Sequence, residues 1–78
     1  MITVSKESKG KLLIDMGKRT RRIRRKKKLT QEDLGEMVGL CSKSISEIER
    51  GGRGMSLVTL YNLSEALEVS TDWLMGKG

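Results

Sequence analysis

Apolar residues recur along this chain at intervals of three and four, and the breaks between runs fall at glycines and small polar residues. Leu12, Leu13, Met16 and Ile23, with Thr20 completing the spacing, predict a first helix from about Lys11 to Lys27 with a wide basic face. Thr30 reads as the N-cap of a second helix. Gln31, Glu32 and Asp33 follow it, and acidic residues in a first turn suit the positive end of the helix dipole. Leu34, Met37 and Val38 supply the apolar positions, and Gly39 ends the helix, because glycine adopts positive φ without strain. A third helix starts at Cys41 or Ser42, carries Ile45 and Ile48, and stops at Gly51-Gly52. Ser56 caps a fourth, with Leu57, Leu60, Leu63, Ala66 and Leu67 at helical spacing. Ser70 caps a short fifth, with Asp72 in its first turn and Trp73 and Leu74 as anchors. No segment alternates with a period of two, so the expected fold class is all-α. Residues 1–10, polar and weakly periodic, read as a flexible arm, and residues 11–76 as one helical domain.

Composition narrows the function classes. A chain of 78 residues makes one domain, and one of this size buries only about 60% of its unfolded surface. Hydrophobic residues at 36% and charged ones at 33% suit a folded soluble domain and disfavour disorder. No apolar run approaches the roughly 20 residues of a membrane span, and the N-terminus lacks an apolar leader. A cytoplasmic protein is the expectation. The single cysteine, Cys41, excludes an internal disulfide framework. A structural thiol is the plainer reading of it, a redox sensor beside a helix N-terminus the sharper one. Without histidine the usual zinc, haem and His-based catalytic arrangements are missing, so no metal, cofactor, small-molecule ligand or enzymatic activity is expected. The net charge is +6, and nine of the sixteen basic residues fall between Lys18 and Lys28. A polyanionic partner accounts for such a run, although a solvated helix face carries one too.

The segment from Gln31 to Arg50 orders these observations. It holds two short helices joined by a glycine turn. Gly35 stands where the helices approach most closely, and Gly39 in the turn itself. Leu34, Val38, Leu40, Ile45 and Ile48 all fall between the helices, while Ser42, Lys43, Ser44 and Glu47 fall on the outer side of the third. Each match alone is weak; together, at fixed spacing, they make a helix-turn-helix, whose second helix fits the major groove of DNA.

On these residues the chain resembles the lambda-repressor-like, Cro/C1-type helix-turn-helix proteins of phages and bacteria. The matching strings are Met16-Gly17-Lys18-Arg19 with Ile23-Arg24, Leu29-Thr30-Gln31-Glu32-Asp33-Leu34, Val38-Gly39-Leu40, Ile45-Ser46-Glu47-Ile48-Glu49-Arg50-Gly51, Leu63-Ser64-Glu65-Ala66-Leu67 and Val69-Ser70-Thr71-Asp72-Trp73-Leu74. The resemblance implies a five-helix bundle that binds double-stranded operator DNA, often as a homodimer, and regulates transcription, here most simply as a repressor. It also implies a structural ion pair between Arg24 and Glu49, and a DNA-backbone role for Gln31. Departures from the family pattern are Cys41 for a capping Ser or Thr, Lys28 and Glu68 for glycines, Met55 for a proline and Thr20 for a large aliphatic. Either Cys41 caps weakly, or Ser42 takes over and the third helix begins one residue later.

The roles expected of single residues follow. Ser42, Lys43, Ser44 and Glu47 are the candidate base readers. Lysine donates to guanine O6 and N7, serine serves either kind of base, and a carboxylate accepts from cytosine N4. Lys43 serves a phosphate equally well, and a surface pairing of Glu47 with Lys43, one turn apart, is slightly the better reading of Glu47. Gln31 at a helix N-terminus, Lys27 and Lys28 at the end of the first helix, and Arg50 and Arg53 around the glycines are candidate phosphate contacts. Trp73 belongs to the core or to a dimer interface rather than to base stacking, and Met16, Met37, Met55 and Met75 to packing or the surface rather than to a ligand site. Two other classes compete with DNA binding: an RNA-binding module using the basic helix 18–28, and an antitoxin-like protein-interaction module.

Overall fold

The computed structural model describes residues 6–77, with side chains from residue 10 onward. Five helices follow one another: α1 (Lys6–Lys26), α2 (Gln31–Val38), α3 (Ser42–Glu49), α4 (Leu57–Leu67) and α5 (Thr71–Met75). No strand occurs among the described residues, and no helix there is long and apolar enough to cross a membrane. The expected all-α architecture of five helices holds. One boundary does not. Residues 6–10, assigned to the arm, are the first turns of α1. Their lack of an apolar stripe hid them. Residues 1–5 of the expected arm lie outside the described part.

The core lies where α1, α2, α3, α4 and α5 converge. Leu34, Ile45, Ile48, Leu63, Leu67 and Leu74 are buried at its centre, with Ile23, Leu29, Val38, Leu40, Met55, Leu60 and Trp73 packed around them. Trp73 is therefore a packing residue. Thr20 sits fully inside the bundle in place of an aliphatic, and it is tolerated because its hydroxyl donates to the Met16 carbonyl at 2.8 Å. Lys28 and Glu68, at positions expected for glycine, do adopt left-handed backbone, with φ of 60° and 58°. That conformation strains a side-chain-bearing residue by roughly 1–2 kcal/mol.

The caps are local and well formed. Ser56 and Ser70 accept from the backbone N–H of Thr59 and Trp73. Thr30 and Asp33 make a reciprocal capping box: the Thr30 hydroxyl accepts from the Asp33 N–H, and the Asp33 carboxylate accepts from the Thr30 N–H, each at 2.9 Å. The backbone hydrogen bond from Thr30, followed by the one from its side chain, holds the Asp33 carboxyl below its ordinary value. A carboxylate lowered in the folded state stabilises it above the unfolded pKa, about 3.9, and that contribution vanishes as the pH falls through the lowered value. Asp33→Asn should therefore flatten the acid side of the stability curve below about pH 4 while leaving its slope near neutrality unchanged. Urea unfolding at stepped pH measures this, and an unchanged acid limb would refute the capping role.

Candidate nucleic-acid interface

α2 and α3 are held at a fixed angle by close backbone approach. Gly39, the C-cap of α2, has φ +74° and directs its N–H to the Gly35 carbonyl. Leu40 N–H donates to the same carbonyl at 2.8 Å. A Cβ on Gly35 would collide with the Leu40 carbonyl oxygen, so the close-contact role read from the sequence is borne out. On α3, Ile45 and Ile48 face the core with essentially no exposure.

The start of α3 is settled at Ser42. Cys41 is the N-cap, with φ −79° and ψ 162°, and its thiol makes no capping hydrogen bond to the backbone. Cys41 thus caps weakly, and Ser42 does not replace it. Cys41 Sγ instead lies 3.3 Å from Ser44 Oγ, which also accepts from the Arg53 guanidinium at 3.2 Å. The Ser44 hydroxyl holds the exposed Cys41 thiol below its usual pKa.

The outer side of α3 carries the expected residues, unequally presented. Ser42 and Lys43 are exposed, whereas Ser44 and Glu47 are half-buried. The expected pairing of Glu47 with Lys43 is not formed. The ion pairs among the described residues are Arg24–Glu49 and Lys27–Glu68. Neither Lys43 nor Glu47 has an ion-pair partner among the described residues. Lys27, a candidate phosphate contact, donates to Glu68 at 2.8 Å, tying the end of α1 to the cap of α4. This bond holds the Glu68 carboxyl below its usual range. Lys28, Arg50 and Arg53 are exposed, as a phosphate contact requires.

Behind α3 lies a buried charged cluster. Arg24 Nε and Nη2 donate to the two carboxylate oxygens of Glu49 at 2.6 and 3.0 Å, and Nη1 donates to the Leu29 carbonyl at 2.8 Å. The two side chains are 9% and 2% exposed, so the structural pair expected from the family resemblance is present and shielded from water. Gln31 joins it, its Nε2 donating to Glu49 Oε1 at 3.1 Å. This link was not evident in the sequence. It anchors the side chain of Gln31 inward and leaves the first backbone N–H groups of α2 as the donors available outside. Arg21, Gln31, Ser46, Glu49 and Arg50 line a shallow cleft between the start of α2 and the end of α3. The cleft is cationic at its rim, because Arg24 neutralises its one carboxylate.

Two further features escaped the sequence reading. Arg19 reaches across to the Leu74 carbonyl at 3.3 Å, and a Cβ on Gly76 would press on its guanidinium. Gly17 lies under α3, where a Cβ would stand 2.5 Å from the carbonyl oxygens of both Ile48 and Glu49. The only signal in the sequence was a glycine inside a helix, which is unfavourable there by roughly 0.5–1 kcal/mol against alanine.

Known proteins share this arrangement. The Helix-turn-helix family profile matches residues 21–74. An uncharacterised HTH-type transcriptional regulator of Sinorhizobium fredii, y4dJ, is 42% identical over 55 residues, covering 70% of this chain and 71% of that protein. Repressor protein C2 of Salmonella phage P22 is 42% identical over 60 residues, 77% of this chain but only 28% of the phage protein. The P22 c2 repressor solved with a synthetic operator superposes with a TM-score of 0.77 at 40% identity, covering 81% of this chain and 96% of that one. The restriction-modification controller protein C.AhdI of Aeromonas hydrophila gives 0.76 at 37% identity, covering 80% and 94%. With the bundle, the glycine turn and the buried Arg24–Glu49 pair in place, the chain belongs to the Cro/C1-type helix-turn-helix family of DNA-binding transcriptional regulators.

Proposed function

We propose that this chain is a repressor-type regulator in which α3 enters the major groove of a specific operator in the cytoplasm. The observation that carries the reading is the contrast across α3. One side is locked by Ile45, Ile48 and the Arg24–Glu49–Gln31 cluster, and the other offers Ser42 and Lys43 to solvent at the leading end. A helix held this firmly presents its polar row at one angle, as sequence readout demands. In this reading Lys43 donates to guanine, Ser42 and Ser44 serve neighbouring bases, and the unpaired Glu47 accepts from cytosine N4. The N–H groups of α2 at Gln31, with Lys28, Arg50 and Arg53, hold phosphates on either side. Lys27 joins them, since its exposed pairing with Glu68 is weak and yields to a phosphate.

One copy of α3 covers only half of such an operator. Two copies present their α3 helices to successive grooves about 34 Å apart. Leu57, Val58 and Tyr61 at the start of α4 are 81%, 67% and 57% exposed, directly after the loop that leaves α3. A second copy is the occupant we assign to that apolar face. The P22 c2 repressor, solved on an operator, supports the DNA reading by similarity.

Selection of bound duplexes from random sequence tests the proposal. The expected outcome is an enriched motif with two-fold symmetry. Lys43→Ala should then weaken the selected site by about 10–100-fold, the value of one good base contact, and random duplex far less. Equal losses on both would reduce Lys43 to a phosphate contact, and no enriched motif would refute sequence-specific binding.

A further inference from the structure

Lys18, Arg21, Arg22 and Arg25 occupy one stripe of α1, in which Lys18 and Arg25 each stand three or four positions from both Arg21 and Arg22, and together line a surface groove. All four are exposed, on the side of the helix away from buried Met16 and Thr20. None has a carboxylate within ion-pair distance among the described residues, where the pairs formed are Arg24–Glu49 and Lys27–Glu68. Like charges at this spacing disfavour a helix. The stripe is thus an electrostatic liability that nothing within the described residues relieves, and an external polyanion would relieve it.

Its position says which polyanion. Arg21 lines this groove and also the cleft formed with Gln31, Ser46, Glu49 and Arg50 at the start of α2. The basic track therefore runs without a break from the phosphate-binding end of the helix-turn-helix onto the outer face of α1. The stripe extends about 10 Å along the helix axis, a length over which duplex DNA carries several phosphates at one charge per roughly 1.7 Å. α1 has no aromatic side chain on which an unpaired base could stack, since the chain's aromatics are Tyr61 and Trp73, so a single-stranded partner has no platform there. We propose that Lys18, Arg21, Arg22 and Arg25 form a second backbone-binding track that grips duplex DNA flanking the site read by α3. The inference rests on the DNA-binding reading and adds the flank to it.

The test compares two duplexes carrying the selected site, one trimmed to its ends and one extended by a helical turn on each side. The variant is Lys18→Gln/Arg22→Gln/Arg25→Gln, which keeps Arg21, helix propensity and the side-chain stems; thermal unfolding confirms that it folds. For the wild type, log affinity should fall more steeply with log salt on the extended duplex. Each phosphate contact contributes about 0.9 to that slope. The triple variant should lose between about two and three units of slope on the extended duplex and almost none on the trimmed one. An unchanged slope on the extended duplex overturns the track. An equal loss on both duplexes places these residues within the operator and overturns the flanking role. Tighter binding of structured RNA than of either duplex at the same salt, lost in the triple variant, overturns it in favour of RNA. If the wild type binds neither duplex, the DNA-binding reading itself falls, an outcome distinct from the others.

Discussion

Glu49→Ala is expected to cost about 3–5 kcal/mol of folding stability, because it leaves the Arg24 guanidinium buried without its partner. Arg24 is 8% exposed and spends two of its donor groups on Glu49. Removing the carboxylate also strands the Gln31 amide, which donates to the same oxygen as Arg24 Nη2. In a domain of this size, each kcal/mol lowers the melting temperature by roughly 4–8 °C, so the variant should melt at least about 12 °C below the wild type. The double variant Arg24→Met/Glu49→Leu removes both charges and replaces them with apolar bulk. It should be more stable than either single variant, since the desolvation of the two charges disappears with them. Operator affinity should not return with stability, because the bidentate bond between α1 and α3 no longer fixes the angle of α3. Calorimetric melts and operator titrations of the four proteins read both quantities. A double variant that binds as tightly as the wild type would refute the positioning role of the pair, and a single variant that melts within a few degrees of the wild type would refute its burial.

What the sequence disclosed, and what it did not, divides along the range of the interaction. Thr30, Ser56, Ser70 and Gly39 are legible because a cap is decided by a few neighbouring residues. The core leucines and isoleucines are legible because burial imposes a period on the chain. The extension of α1 back to Lys6 is not, since that segment carries no apolar period to mark it. The Arg24–Glu49 pair joins residues 25 positions apart, and nothing in local pattern links them; family resemblance alone supplied it. Gln31 shows the same limit in sharper form. As the first residue of α2 it offers backbone donors outward, which follows from its place in the sequence. That its side chain turns inward to Glu49 follows only from the position of α3 in space. Glu47 is the reverse case. Its spacing from Lys43 favours a pairing, yet each pair of this kind is worth only a few tenths of a kcal/mol, too little to compel the two side chains together.

Gly17→Ala is expected to destabilise the fold by about 1–3 kcal/mol, the cost of forcing an extra carbon into a packed contact, and to weaken operator binding at the same time. The added Cβ would stand 2.5 Å from the carbonyl oxygens of Ile48 and Glu49, which are backbone atoms at the end of α3 and have no rotamer to escape into. Relief requires α3 to move away from α1. Such a shift stretches the Arg24–Glu49 bonds and tilts Lys43, carried on the same helix, out of its groove. The same substitution elsewhere in α1 supplies the control. A Cβ added at Gly10 would meet nothing within 4 Å, so Gly10→Ala should stabilise the helix by roughly 0.5–1 kcal/mol through propensity alone. One chemical change thus carries opposite signs two turns apart, and only the change beneath α3 reaches the DNA. Chemical denaturation and operator titration of the two variants decide the matter. If both alanines stabilise, α1 and α3 do not meet at this distance. If Gly17→Ala destabilises but binds normally, the orientation of α3 is set by the α2 turn rather than by its seat on α1.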